Sequence, residues 1–229
     1  MSEWTVGEIV GKSWEITKNN LGLAMGVFVA QFFVLFAIEA LLYAVGAGTF
    51  LVINALGEEM EAIAMAVTGV VLLPLMLVAT IVWIRVVLGT IRVYLNLARG
   101  EPASFRDLLS GGGVLSALGA TLLISIGVMI GYVFFIIPGL IIAFGTVWTM
   151  FLIADKNLGA IAAIRESWSM MSGRWGAVLV WVLVAWLIAL AGELACFVGL
   201  LVAGPVVMIG FALIYDRIQG RSATGLVPR

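Results

Sequence analysis

The chain has 229 residues, 63% of them hydrophobic and only 11% charged, with a net charge of −1 and no histidine. A soluble domain carries about 25% charged residues, so this composition, at a mean hydropathy of +1.20, excludes an ordinary soluble fold, and the lack of basic excess excludes nucleic acid as a partner. What it predicts is an all-α integral membrane protein, a single domain over 1–221 with six transmembrane helices arranged as three hairpins.

The first element is an amphipathic helix over 5–18. Thr5 and Glu8 stand at the spacing of a capping box. Val6, Ile9, Val10 and Trp14 make an apolar side, and Glu8, Lys12 and Glu15 a polar one. This segment is too polar to span and is predicted to lie in the membrane interface. It also lacks the basic-then-apolar order and cleavage site of a signal peptide. The first two spans follow at about 21–47 and 62–90, the second carrying Pro74 as a kink. Residues 113–154 are apolar for about 40 residues, too long for one crossing. They divide into spans at 113–134 and 137–154, with Pro138-Gly139 opening the second. A second amphipathic helix covers 158–172. Leu158, Ile161, Ile164, Trp168 and Met171 share its apolar face, and Arg165, Glu166, Ser169 and Ser172 the polar one, with Gly173 as its stop. The last two spans fall at 175–192 and 196–215. The lone Cys196 reads as a small buried hydrophobe, and "LVPR" at the end of 222–229 reads as the remnant of a purification tag.

Orientation follows from Lys and Arg. With both termini in the cytoplasm of a bacterial inner membrane, the turns on the other side hold no basic residue, and one holds Glu58, Glu59 and Glu61. The amphipathic helices then lie at the cytoplasmic side. A short pattern recurs before each hairpin: Ser13-Trp14 with Gly22, Ser104-Phe105 with Gly113, and Ser167-Trp168 with Gly176, each glycine nine residues after its serine. This spacing predicts a unit of interfacial helix plus hairpin, used three times.

The stretches "FIIPGLIIAF", "LIADKNLGAIAAIRESWSMMSGRWG" and "ALIYDR" resemble the YciC-like bacterial membrane proteins and the membrane domain fused to some glycerophosphodiester phosphodiesterases. The residues that carry the likeness are Pro138, Gly139, Asp155, Ala163, Ser167, Trp168, Gly173, Arg174, Trp175, Tyr215, Asp216 and Arg217. It covers about 130–220 well and the N-terminal helix moderately. Two departures stand out: Arg217 directly follows Asp216, and Asp155 occupies a place where glutamate is more usual. The resemblance implies a membrane module without the phosphodiesterase domain, for which no span-free length remains.

Three groups of residues are candidates for function. Arg85, Arg92 and Arg99 recur every seven residues and share a helix face with only about 20° of drift per step. With Arg174 they are candidates for binding lipid or another anionic ligand. The plainer alternative is positive-inside anchoring, with pairing to Glu8, Glu15 or Glu166. Glu39 is costly inside a span, and a carboxylate there is protonated, near outer water or holding a cation. With Glu193, and with Gln31 and Tyr43 nearby, it is the candidate proton or cation site. The preferred reading places it at the outer interface or keeps it neutral and bonded to a neighbouring helix. Trp14, Trp168 and Trp175 are interfacial anchors. With no histidine and no carboxylates at ligand spacing, the sequence predicts no metal, no cofactor and no enzyme. It predicts a non-catalytic protein that binds membrane lipids, or a membrane or peripheral protein partner, at its cytoplasmic interface. The alternatives are a small transporter or channel using Glu39, and a module partnering a separate phosphodiesterase.

Overall fold

The computed structural model describes residues 4–56, 61–195 and 199–221. Cys196, Glu58, Glu59 and the proposed tag remnant lie outside them. The described residues form nine α-helices: α1 (Val6–Asn19), α2 (Leu21–Leu56), α3 (Glu61–Arg99), α4 (Val114–Phe134), α5 (Ile136–Gly145), α6 (Thr149–Lys156), α7 (Ala160–Met171), α8 (Trp175–Leu194) and α9 (Leu200–Ile218), with a 3-10 helix at Phe105–Leu109. Six stretches are long and apolar enough to cross a membrane, α5 and α6 together making one of them. The chain is an all-α polytopic membrane protein.

The hairpins α2–α3, α4–α5/α6 and α8–α9 meet at one end, here called the charged end. The buried residues concentrate there: Val86 to Ala98 of α3, Trp148 to Ala154, and Ile209 to Tyr215 of α9. Away from it the helices turn mainly apolar side chains outward, as lipid-facing helices do. Tyr94 Oη donates to the Ala24 carbonyl at 3.1 Å and fixes α2 against α3.

Contacts at the charged end also set the relative heights of the helices. From the Arg92–Ala154 and Arg99–Asp155 contacts, α5 and α6 together run about 27 Å to Ile136 at 1.5 Å per residue, whereas α3 continues for about 45–55 Å. The α2–α3 hairpin therefore overhangs the other two by about 20–30 Å. Its overhang is apolar, with Phe50, Leu51, Val70 and Leu73 each about two-thirds exposed or more.

Several expectations change. Spans one and two continue to Leu56 and Arg99 rather than stopping near 47 and 90, because no glycine–proline pair or charge run interrupts their periodicity. The span expected at 137–154 is broken between Gly145 and Thr149. On α1 the buried stripe is Ile9, Ser13 and Thr17, and Trp14, on the apolar side, is 51% exposed. The stripe can be polar because each hydroxyl bonds its own helix: Ser13 Oγ donates to the Ile9 carbonyl at 2.8 Å and Thr17 Oγ1 to that of Ser13 at 2.7 Å. On α7 the buried residues are Ala163, Ser167, Met170 and Met171, while Ile161 and Trp168 point outward. Residues 104–109 form no amphipathic α-helix: Ser104 caps the 3-10 helix in a capping box with Asp107. Gly173 has φ +72, and the helix stops before it, at Met171.

Candidate functional site

The charged end is organised by Arg99, in the last turn of α3. Its Nε and Nη2 reach both oxygens of Asp216 in α9, at 3.0 Å and 2.7 Å, and its Nη1 reaches Asp155 of α6 at 2.8 Å. Asp155 also accepts from Tyr215 Oη at 3.1 Å and from Arg221 at 2.8 Å. The Asp216 side chain is only 1% exposed. Two cations thus balance two carboxylates. Such burial is tolerable only because every charge is paired and hydrogen-bonded. A planar guanidinium suits this task, since it can grip one carboxylate with two parallel bonds and still reach another.

The end of α9 ties on two more helices. Arg217 pairs with Glu8 of α1, its Nη1 3.2 Å from Oε2. Lys156 of α6 lies 2.6 Å from Glu166 of α7 and 2.9 Å from Gln219. Hydrogen bonds from Arg217 and then Lys12 hold the Glu8 carboxyl down at about 2, from 4.5. Glu8 thus leaves the expected capping box half-made. Thr5 Oγ1 accepts from the Glu8 amide at 3.3 Å, but the carboxylate is drawn to the two cations.

The arginine stripe therefore splits. Arg99 is taken up by Asp216 and Asp155, not by Glu8, Glu15 or Glu166. Arg92 donates from Nε to the Ala154 carbonyl at 2.8 Å and from Nη1 to that of Ser110 at 2.6 Å. It satisfies one of the carbonyls that the last turn of α6 leaves without an intrahelical donor. Arg85 is exposed and makes no hydrogen bond or ion pair among the described residues. Arg174 makes long local bonds to the Met170 and Ser172 carbonyls, at 3.4 Å and 3.5 Å. The stripe thus contributes one outward cation and two internal ties.

Glu39 is exposed on α2, about 22 Å along the helix from Ala24 and so roughly level with the far ends of the shorter hairpins. No hydrogen bond joins it to Gln31, Tyr43 or Glu193 among the described residues. Glu193 is exposed in the last turn of α8. The structure does not bring these groups together. Trp168 and Trp175 meet edge to face, ring centroids 5.8 Å apart.

The sequence reading missed the part played by Ser167. Its Oγ donates to the Gly145 carbonyl at 2.8 Å and accepts from the Trp148 amide at 3.2 Å. These are backbone groups at the break between α5 and α6, so a side chain from α7 splints the interrupted span. The Trp168 indole lies over Gly145, where a Cβ would come within 2.7 Å of it. The Ser-Trp pair therefore works in two directions, serine inward and tryptophan over the break. The signal was present in Gly145-Thr-Val-Trp-Thr149, a polar interruption in an apolar run. Of the residues quoted for the family resemblance, Asp155, Tyr215 and Asp216 converge on Arg99, Ser167 and Trp168 serve the break, and Arg217 turns away to α1.

A cavity of about 280 Å³ opens beside this cluster, between α3, the 3-10 helix and the end of α6. No family model matches the chain, and no solved structure matches it. Among curated proteins it is similar to the uncharacterized protein Rv2560 of Mycobacterium tuberculosis (strain ATCC 25618 / H37Rv). The two are 27% identical over 230 residues, which take in 96% of this chain and 70% of that relative. Mb2590 of Mycobacterium bovis gives the same identity and coverage.

Proposed function

We propose that this membrane protein is non-catalytic, sits in a bacterial inner membrane with its charged end toward the cytoplasm, and gathers anionic lipid around that end. One observation carries this reading. Lys18, Arg85, Arg106 and Arg165 are exposed, and among the described residues none has a carboxylate partner. They belong to the same half of the molecule as the outward-facing Trp14 and Trp168. Unpaired cations at headgroup level attract anionic lipid at about 1 kcal/mol each, and interfacial tryptophans hold the height at which they do so. Arg85 lies furthest into the span, and its long stem lets the guanidinium reach back toward the headgroups. The likeness of 130–220 to the YciC-like proteins agrees with a membrane module.

A transport reading would look first to the broken span, because unwound helix ends are where transporters place substrates. Here Ser167 already occupies the Gly145 carbonyl and the Trp148 amide, which favours a structural break. The test is lipid retention. The chain is reconstituted in nanodiscs of mixed phosphatidylglycerol and phosphatidylcholine, released, and weighed by native mass spectrometry. Phosphatidylglycerol is expected to be enriched, and the enrichment lost in Lys18→Ala/Arg85→Ala/Arg106→Ala/Arg165→Ala. Equal retention of the two lipids by the unmodified chain would overturn the reading.

A further inference from the structure

The cavity beside Arg99 has walls of both signs. Arg92 and Arg99 line it, and so do Asp107 and Asp155, with Asn96 and Ser110 between them. Most of this charge is already committed. Arg99 and Asp155 neutralise one another. Arg92 is held rigidly by its two carbonyl bonds through Nε and Nη1, which leaves Nη2 without a partner among the described residues. Asp107 receives the Ser104 amide at 2.7 Å and the Ser104 hydroxyl at 3.2 Å, both on Oδ2. Its Oδ1 has no partner among the described residues. The cavity therefore presents one fixed donor with positive charge and one fixed acceptor with negative charge. No ion pair joins the two among the described residues, and each is held by bonds to other groups.

A simple anion would satisfy Arg92 but face Asp107, and a simple cation the reverse. A zwitterion satisfies both. The volume, about 280 Å³, falls just below the ~300 Å³ at which small-molecule sites start. It suits a headgroup better than a whole lipid. The site also lies beside Gly112, where an added Cβ would stand 3.5 Å from Arg92 Nη2, and so next to the start of α4 at Val114, where that hairpin enters the apolar layer. We propose that this cavity binds a phosphate–ammonium zwitterion of the phosphoethanolamine class, with the phosphate on Arg92 and the ammonium on Asp107. The exposed cations of the charged end play no part in it, so this site and the anionic-lipid surface stand or fall separately.

The test uses the purified full chain. Native mass spectrometry compares retention of phosphatidylethanolamine, phosphatidylcholine and phosphatidylglycerol, and calorimetry titrates free phosphoethanolamine. In the Lys18→Ala/Arg85→Ala/Arg106→Ala/Arg165→Ala background, which silences the anionic-lipid surface, the chain is expected to retain phosphatidylethanolamine over both others, since choline has no N–H to donate and glycerol no positive charge. Asp107→Asn keeps an oxygen for the Ser104 amide and removes only the charge. It should weaken phosphatidylethanolamine about tenfold or more, the scale of one lost hydrogen bond to a charged group, while leaving the melting temperature in place. Arg92→Gln should weaken every phosphate ligand, and Asp107→Asn covers the case in which that variant does not fold. Binding of free phosphoethanolamine without the lipid would assign the site to a soluble ligand of the same chemistry; binding of both, or of the lipid alone, would assign it to the membrane. Retention of phosphatidylethanolamine no better than phosphatidylcholine, together with no uptake of free phosphoethanolamine, would overturn the proposal. So would a preference unchanged in Asp107→Asn.

Discussion

The charged end and the overhanging tip of α2–α3 differ in what holds them. At the charged end the ties run between elements. Arg99 joins α3 to α6 and α9, Tyr94 joins α3 to α2, Ser167 joins α7 to the α5–α6 break, and Arg217 joins α9 to α1. In the overhang and beside it, the polar side chains of Thr49, Asn54 and Thr80 turn back on their own helices, to the carbonyls of Val45, Phe50 and Met76. In hydrocarbon, apolar contact gives little drive for one helix to prefer another over lipid. The few polar side chains that reach across, rather than the many apolar ones, decide where this bundle is locked.

That contrast can be broken most forcefully at Arg99. Arg99→Ala leaves Asp216 and Asp155 with only the half-exposed Arg221 between them, and breaking a buried pair in this way costs about 3–5 kcal/mol. Thermal unfolding in detergent should show it as the largest loss of any single substitution. Asn54→Ala, in the tip, should stay within about 0.5 kcal/mol. If the two variants melt together, the charged end is not the lock. Glycines give the next comparison. Gly145→Ala drives a methyl group to within 2.7 Å of the Trp168 ring and should cost about 1–3 kcal/mol. Gly46→Ala meets nothing within 4 Å and should stabilise its helix by about 0.5–1 kcal/mol, so the two melting shifts should have opposite signs. Ser167→Ala leaves the Gly145 carbonyl and Trp148 amide unpartnered, at about 1–3 kcal/mol. Hydrogen exchange should localise that loss to 145–149.

The smallest effect concerns acid. The Glu8 carboxyl is held at about 2, below its ordinary 4.5. Its contribution is therefore complete above about pH 4.5 and is lost as the pH falls toward 2. Amide exchange in α1 should speed up over that interval. In Glu8→Gln it should already be fast at neutral pH and change little with acid. An α1 that loosens only above pH 5 would show that another group holds it.

Much of this architecture was legible from the chain alone. Spans three to six fall within a few residues of their predicted ends, because hydropathy and turn residues act locally. The ends of α2 and α3 were not legible, since nothing in an apolar run says where lipid stops and a helix continues. The buried stripes of α1 and α7 were not legible for a related reason. Amphipathicity told polar from apolar, but Ser13, Thr17 and Ser167 are polar residues that bury themselves by bonding carbonyls. The pairing of Arg99 with Asp216 spans 117 positions, and only the fold brings it about. The seven-residue spacing of Arg85, Arg92 and Arg99 correctly gave a shared face, yet said nothing of what each would meet on it.

The length of α2 has a mechanical corollary. Its 36 residues make a rod of about 54 Å, well beyond a hydrocarbon layer of about 30 Å. Spans of 19–21 residues such as α4, α8 and α9 match that thickness while standing nearly upright. One hairpin therefore outlasts the layer that its neighbours match, so the bilayer around it must thicken or the hairpin must tilt or bend, and the protein would settle most easily where a bilayer is thick.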